Sequence, residues 1–379
     1  MKNKTDTGVI VIGGHVQGLG IIRIFGEKGI PVILLDNTSI NIGKHSKYCK
    51  KFYKYHDLLK KLNELASTNL YKDWLIFPTH DEQVEIISKN RDFLQKHFNI
   101  TTDKWENVKI FYNKKLSYPL AKEVGLDIPT TLYPKNEKDV LEANINLPCI
   151  IKPAVVEKFY KKAKKKVFIC KTKEELLLNY KRAISIIPKD EIIIQEIIPG
   201  SSENQYSACF HYNSNEALVQ LVAKRKRQHP IDFGNATTFA ETVQDHTLIF
   251  QAEKILKKVR YNGLCEVEFK YDERDGKYKF LEVNPRTWKW HSISEKSNSP
   301  FLLSIYNLIL FNKKDKTMLW ENAAFKHIIT DFPTIINLKR KKLYKKSEIK
   351  EIQYAVWNLT DIKPAIFELI YLIYFILKR

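Results

Sequence analysis

The rhythm of apolar and polar positions changes along the chain. Near the start, the unbroken apolar runs of GVIVIGG (8–14) and IPVILLD (30–36) are separated by a glycine turn and a helical stretch. Runs without alternation belong to strands buried on both faces, so they predict a parallel α/β layer. WLIFPTHDEQVEII (74–87) adds another strand, ended by Pro78, then a polar turn and a helix. From about residue 113 the style differs. NKKLSYPLAKEVGLDIPTT (113–131) is an amphipathic helix stopped by Gly125 and Pro129, LPCIIKPAVV (147–156) a short strand followed by a basic loop, and VFICKTKEELLLNYKRAISII (167–187) a strand and a helix. DEIIIQEIIPGSSENQYSACFHY (190–212) reads as two strands joined at Pro199 and Gly200. Mixed signals of this kind predict α+β sheets with helices on one face.

The expected organisation is an α/β Rossmann-like domain over 1–110 and an α+β domain over 111–310. The second divides into halves near 111–195 and 196–310. A helical extension over 311–379 is basic and finally very apolar. Its last stretch, PAIFELIYLIYFILKR (364–379), carries only Glu368 as a charge between Ile366 and Leu377. Those residues would cover about 18 Å as a helix, short of the ~30 Å hydrocarbon core of a bilayer.

Composition narrows the reading. A chain of 379 residues with 44% apolar and 28% charged residues is an ordinary globular protein of two or three domains. Its five cysteines (49, 149, 170, 209 and 265) show no CxxC or zinc spacing, as expected of reduced thiols. A polar leader runs straight into GVIVIGG without the architecture of an export signal, so a cytoplasmic protein is expected. The net charge of +20 is concentrated in KFYKKAKKK (158–166), KRKR (224–227) and KRKKLYKK (339–346). No zinc-finger or RRM-type motif accompanies it, so no nucleic-acid partner is expected. Solvated faces, polyphosphates and membrane surfaces remain as explanations.

The opening strand–turn–helix invites a dinucleotide site, with Asp36 placed as a ribose-binding acid. However, Gly13, Gly14, Gly18 and Gly20 do not spell G-x-G-x-x-G.

The sharpest chemistry lies in CEVEFKYDERDGKYKFLEVNPR (265–286). A three-residue turn over 274–276, with Gly276 left-handed, would pair Glu273 with Lys277 and oppose Glu268 to Glu282. Glu266, Glu268 and Lys270 would then share a face with Phe280, Glu282 and Asn284. Val267, Phe269, Leu281 and Val283 would form the apolar side. A two- or four-residue loop would send the two glutamates to opposite faces. Like charges directly opposite destabilise a sheet. The pair is therefore either a solvated surface feature or a site for a hard cation, for which Mg²⁺ held by carboxylates and phosphates is the natural occupant.

With E-x-N-P-R on the last strand, the KP lysine at 152 and Q-E-x-x-P-G at 195–200, residues 110–300 resemble the ATP-grasp superfamily. The I-P-G turn and the Y-D-x-R-D-G-x-Y-K hairpin resemble its carboxylate–amine ligase branch, including D-aspartate ligase-like and carbamoyl-phosphate-synthase-like proteins. The resemblance implies ATP between two small sheets, with Lys114, Lys152 and Lys166 near its phosphates. Gln195, Glu196 and Ile198 would lie at the adenine, and Glu203 at the ribose. Glu268, Glu282 and Asn284 would hold one or two Mg²⁺ ions, with Mn²⁺ as a substitute. Arg286, Lys224 and Arg227 would grip the reacting anions, and Trp288, Trp290 and His291 either line the acceptor pocket or belong to the core. Family members often cover the phosphates with a glycine-rich loop, but PAVVEKFYKKAKKKV (153–167) contains no glycine.

The implied reaction activates a carboxylate as an acyl phosphate, releases ADP and joins the acid to an amine, both partners being small molecules. A non-catalytic ATP-binding regulatory or scaffold protein and an NAD-dependent oxidoreductase stand as alternatives. For the apolar tail, peripheral contact with the inner membrane face and self-association both stay open.

Overall fold

The computed structural model describes residues 7–231, 236–314 and 320–378, leaving the polar leader at 1–6 outside the described residues, together with the side chains of 157 and 158 in the first lysine run. Strands β1 (Val9–Ile12), β2 (Val32–Asp36), β3 (Cys49–Lys54), β4 (Leu75–Pro78) and β5 (Asn99–Ile100) form a parallel sheet in the order 3-2-1-4-5. All residues of β1, β2 and β4 are buried, as unbroken apolar runs require. The turn after β1 is very tight. A Cβ on Gly18 would lie 1.8 Å from the Gly13 carbonyl oxygen, so the helix can approach the strand end only with glycine there. Gly18→Ala is therefore expected to cost about 1–3 kcal/mol, the usual range for forced repacking, read as a lower urea midpoint.

A second sheet has four antiparallel-paired strands: β6 (Thr131–Leu132), β9 (Ile192–Glu196), β7 (Cys149–Pro153) and β8 (Phe168–Cys170). It has its own apolar core, built with the helix Lys173–Ile184. The third sheet has seven strands in the order 14-13-10-11-12-15-16. These are β10 (Gln205–Asn213), β11 (Glu216–His229), β12 (Ala236–Thr242), β13 (Asn262–Asp272), β14 (Lys277–Asn284), β15 (Ala324–Lys326) and β16 (Ile352–Tyr354). Its core is continuous with that of one face of the parallel sheet.

Two expectations about the middle and end of the chain need correction. The basic stretch after the KP lysine is not a loop: Val156–Ala163 is a helix, ended by Lys164 in the left-handed region. Nor is the segment after 311 a purely helical extension, because β15 and β16 extend the seven-stranded sheet. A buried ion pair further ties this segment down. Asp361 accepts from Arg23 Nε at 2.9 Å, Ser46 Oγ at 2.7 Å and the Lys47 amide at 2.9 Å. An apolar tail read from sequence alone gives no sign of partners over 300 residues away.

The hairpin carrying the acidic residues has a compensated register. Asp272 pairs with Lys277, so the loop holds four residues, 273–276, with Gly276 at φ +68°. That loop alone would separate the two glutamates. A bulge at Leu281, where Phe269 faces Phe280 and Glu268 faces Glu282, restores their opposition. Between the turn and the bulge the parity of the four-residue loop holds, so Phe280 faces the core and Leu281 the cavity wall, reversing the faces expected for those two residues.

Candidate active site

A cavity of about 1160 Å³ opens between the four-stranded sheet, the seven-stranded sheet and the carboxyl ends of the parallel strands. Lys114, Lys152, Lys166, Gln195, Glu196 and Ile198 line it from one side. Glu268, Glu282, Asn284 and Arg286 line it from the other.

Lys114 opens the helix Lys114–Glu123, whose first turn is capped by the Asn113 side chain accepting from the Lys115 amide at 2.9 Å. Its ammonium lies 2.9 Å from Glu282 Oε2. Burial opposes the lysine charge, yet Glu282 holds it above the ordinary range. In return Lys114 pulls the Glu282 carboxyl down to about 2. Lys152, on β7, donates to Gln195 Oε1 and to the Tyr118 hydroxyl, each at 2.7 Å, and sits 4.8 Å from the centre of the Tyr118 ring. Both oxygens are neutral, so burial, followed by the neighbouring Lys114 charge, lowers Lys152 to about 7.

A testable consequence concerns pH. An anion seated beside Lys152 would raise its pKa, so binding takes up a proton above pH 7. Affinity for such an anion should therefore be highest below about pH 7 and fall as pH rises, by at most about tenfold per unit. Calorimetric titration in buffers of different ionisation enthalpy reads this proton uptake. Lys152→Arg, which stays charged throughout, should abolish the trend.

The acidic wall is more crowded than the hairpin spacing suggested. Glu266 is buried next to Glu268, and Asn284 Nδ2 donates to both, at 3.1 Å and 2.9 Å. Burial and then the Glu268 charge push Glu266 up to about 8. Burial and then Glu282 raise Glu268 as well. Asn284 therefore turns its amide nitrogen, not its oxygen, toward the carboxylates, and its Oδ1 accepts from Arg286 Nη2 at 3.0 Å. The two neighbouring carboxyl groups offer acceptors and the Arg286 guanidinium offers only donors, which dictates this orientation. Glu268 also accepts from Gln205 and lies 3.6 Å from Arg225 Nη2.

Arg286 is held by Asp81, Nε to Oδ1 at 2.7 Å and Nη2 to Oδ2 at 3.3 Å, so its fork already grips a carboxylate of the protein. Glu196 accepts from the Thr130 amide at 2.8 Å and from Arg274 at 3.2 Å. Burial works against ionisation there, but these donors hold it below the ordinary carboxylate range.

Three expected site residues lie outside the cavity lining. Glu203 pairs with Lys226 and Lys345, each at 3.6 Å. Lys224 lies 3.8 Å from Glu241. Arg227 is buried against Asp331 in a two-pronged pair, Nε to Oδ1 and Nη2 to Oδ2, both at 2.8 Å. Bulges in the β11–β12 pairing on either side of Arg227 break the alternation, so Arg225 and Gln228 line the cavity instead. Trp288, Trp290 and His291 are core, with His291 Nε2 2.9 Å from the Gln17 carbonyl. Sequence reasoning set Glu266 on the acidic face without selecting it as a site residue, and missed Arg225 and Tyr118. Glu266 had a usable signal, two residues before Glu268 on one face, whereas Arg225 depended on a bulge.

The glycine turn argues against a dinucleotide. The Gly14 amide, available to a phosphate in such folds, donates to Asp36 Oδ2 at 2.6 Å. Asp36 Oδ1 accepts from the Thr38 amide at 2.9 Å. The acid that would hold a ribose is thus turned back onto its own loop.

Residues 114–299 match the family model described as the ATP binding domain of the carbamoyl-phosphate synthase L chain. The D-aspartate ligase of Enterococcus faecium is 26% identical over 275 residues, covering 66% of this chain and 64% of that protein. The alignment thus spans less than two thirds of that relative. Among solved structures, an ADP complex of N5-carboxyaminoimidazole ribonucleotide synthetase superposes with a TM-score of 0.66 at 18% identity, covering 92% of this chain and 90% of that one. The biotin carboxylase domain of Hydrogenobacter thermophilus 2-oxoglutarate carboxylase, solved with MgADP and bicarbonate, gives 0.62 at 14% identity, covering 84% and 72%. The mixed α/β fold is that of these ATP-grasp structures. By its matching domain over residues 114–299 and by its fold, the chain resembles the ATP-grasp superfamily and, within it, the carboxylate–amine ligase branch.

Proposed function

We propose that the chain is an ADP-forming ATP-grasp ligase that activates a carboxylate as an acyl phosphate and joins it to an amine. The observation that carries this reading is the convergence of Lys114 and Lys152 with the opposed carboxylates Glu268 and Glu282 in one cavity. Buried lysines suit a polyphosphate, and buried carboxylates crowded enough to be pushed out of their ordinary range suit a hard cation. Among the described residues no group of three or more His, Cys, Asp or Glu could hold a metal ion unaided. That is compatible with Mg²⁺, which takes one or two carboxylates and completes its shell with phosphate and water.

In this reading Lys114, Lys152 and Lys166 bind the phosphates, while Gln195, Glu196 and Ile198 lie at the base. Glu268 and Glu282 hold the metal, and Asn284 joins them by turning its oxygen inward. Magnesium, when bound, would neutralise phosphate charge. The substrate carboxylate attacks the γ-phosphorus and ADP leaves. The amine nitrogen then attacks the acyl carbon, phosphate leaves, and the amine gives up a proton. The chain's part is to position both partners and offset charge, with Arg286 and Arg225 beside the developing anion.

Trapping tests this directly. Hydroxylamine replaces the unknown amine and converts an acyl phosphate to a hydroxamate. Pooled acids, including both enantiomers of aspartate, should give ATP-dependent hydroxamate and stoichiometric ADP. Binding of Mg-ATP without hydroxamate from any acid would favour a non-catalytic grasp.

A further inference from the structure

More than half of the exposed large apolar side chains among the described residues lie after residue 327. They fall mainly on two helices. On Ile328–Arg340, the exposed Ile328, Phe332 and Ile336 recur every fourth residue and so form one stripe. On Lys363–Leu377, residues Leu372, Ile373, Tyr374, Phe375, Ile376 and Leu377 are exposed in succession. The two helices meet at their starts, where His327 Nε2 lies 2.7 Å from Glu368 Oε1. The root of the second helix is firmly seated: Phe367 stacks on His45 at 3.4 Å, and the Tyr371 hydroxyl lies 2.8 Å from His45 Nε2.

We propose that this C-terminal surface docks on an anionic lipid bilayer, with the helix Lys363–Leu377 lying in the interfacial layer. Three observations choose lipid over a protein partner. Successive helix positions are turned by 100°, so six exposed apolar residues in a row circle the axis, and a flat protein surface covers only one face. At fifteen residues the helix is about 22 Å long, and among the described residues no helix is long and apolar enough to cross a membrane. Insertion along the surface remains, with Lys363 and Lys378 at either end able to reach headgroups. The charge is complementary. The Ile328–Arg340 stripe runs into a basic segment where Lys339, Arg340, Lys342, Lys345 and Lys346 are exposed, and such segments bind anionic lipid. Exposed Tyr354 and Trp357, between the helices, belong to residue types that favour the membrane interface. This inference does not depend on the ligase reading.

Co-sedimentation of the full chain with vesicles tests it. Binding to phosphatidylcholine–phosphatidylglycerol vesicles, weakened by salt and absent with phosphatidylcholine alone, is the expected result. The double variant Ile373→Glu, Leu377→Glu should reduce it by about tenfold or more while leaving Mg-ATP binding intact, since both side chains are exposed. Protein left in the supernatant with both vesicle types would overturn the proposal. So would equal, salt-insensitive binding to both. Sedimentation velocity without lipid supplies the remaining arm: a dimer dissociated by the double variant, with no vesicle binding, would assign the surface to a second copy of the chain.

Discussion

A Glu282→Gln protein is expected to bind Mg-ATP but release ADP at least about 10²–10³-fold more slowly than the wild type, the usual loss when a charge-stabilising group is removed. The substitution keeps the shape of the side chain and removes its charge. It leaves Lys114, 2.9 Å from Glu282 Oε2 in the wild type, without its carboxylate in the presence of Lys152. The lysines still attract phosphates, so nucleotide binding survives, while a metal would lose one of its two carboxylates. The effect should therefore appear in kcat and in the Mg²⁺ concentration needed for half-maximal rate, with little change in the dissociation constant for ADP. Steady-state ADP release across a magnesium titration, beside nucleotide binding by calorimetry, separates these quantities. Loss of nucleotide binding with no change in magnesium dependence would place Glu282 in nucleotide recognition and not at a metal.

Arg227→Ala is expected to destabilise the fold by about 3–5 kcal/mol, the cost of leaving a buried charge without its partner. Asp331 is fully buried, accepts from Arg227 Nε and Nη2, and also accepts from Thr238 Oγ1 at 2.9 Å. Replacing both members by apolar residues, Arg227→Met with Asp331→Leu, should recover most of that loss, because a buried pair roughly breaks even with well-packed hydrophobic residues. Urea midpoints of the single and double variants measure this. Below its unfolding transition the double variant should turn over like the wild type. A double variant that is stable yet inactive would instead return Arg227 to the reacting groups, where the sequence alone placed it.

The contrast between these residues shows where sequence reading works. Apolar runs at 8–12, 30–36 and 74–78 are strands buried on both faces, and the alternation through 265–284 is a two-sided hairpin. Both follow from local periodicity, which requires no knowledge of partners. The opposition of Glu268 and Glu282 came out as expected through a different route: a four-residue loop whose parity change is cancelled by a bulge at Leu281. In KRKR two bulges flank Arg227, one on each strand, so the pairing returns to its register while the alternation of β11 is broken, and the lysine and arginine selected there, Lys224 and Arg227, lie outside the cavity lining while Arg225 lines it.

Outside the stretch 156–163 and the segment after 311, the sequence by itself determined the strand and helix types, the order of the grasp motifs and the presence of lysines and carboxylates at matching separations, because periodicity and chain order are local properties. Tertiary structure decided which charges meet. Arg286 is claimed by Asp81, 205 residues earlier, Arg227 by Asp331, 104 residues later, and Asp36 by the Gly14 amide. Pairing of buried charges depends on distance in space and on side-chain direction. One bulged residue is enough to reverse that direction, and an isolated bulge leaves no period in the sequence.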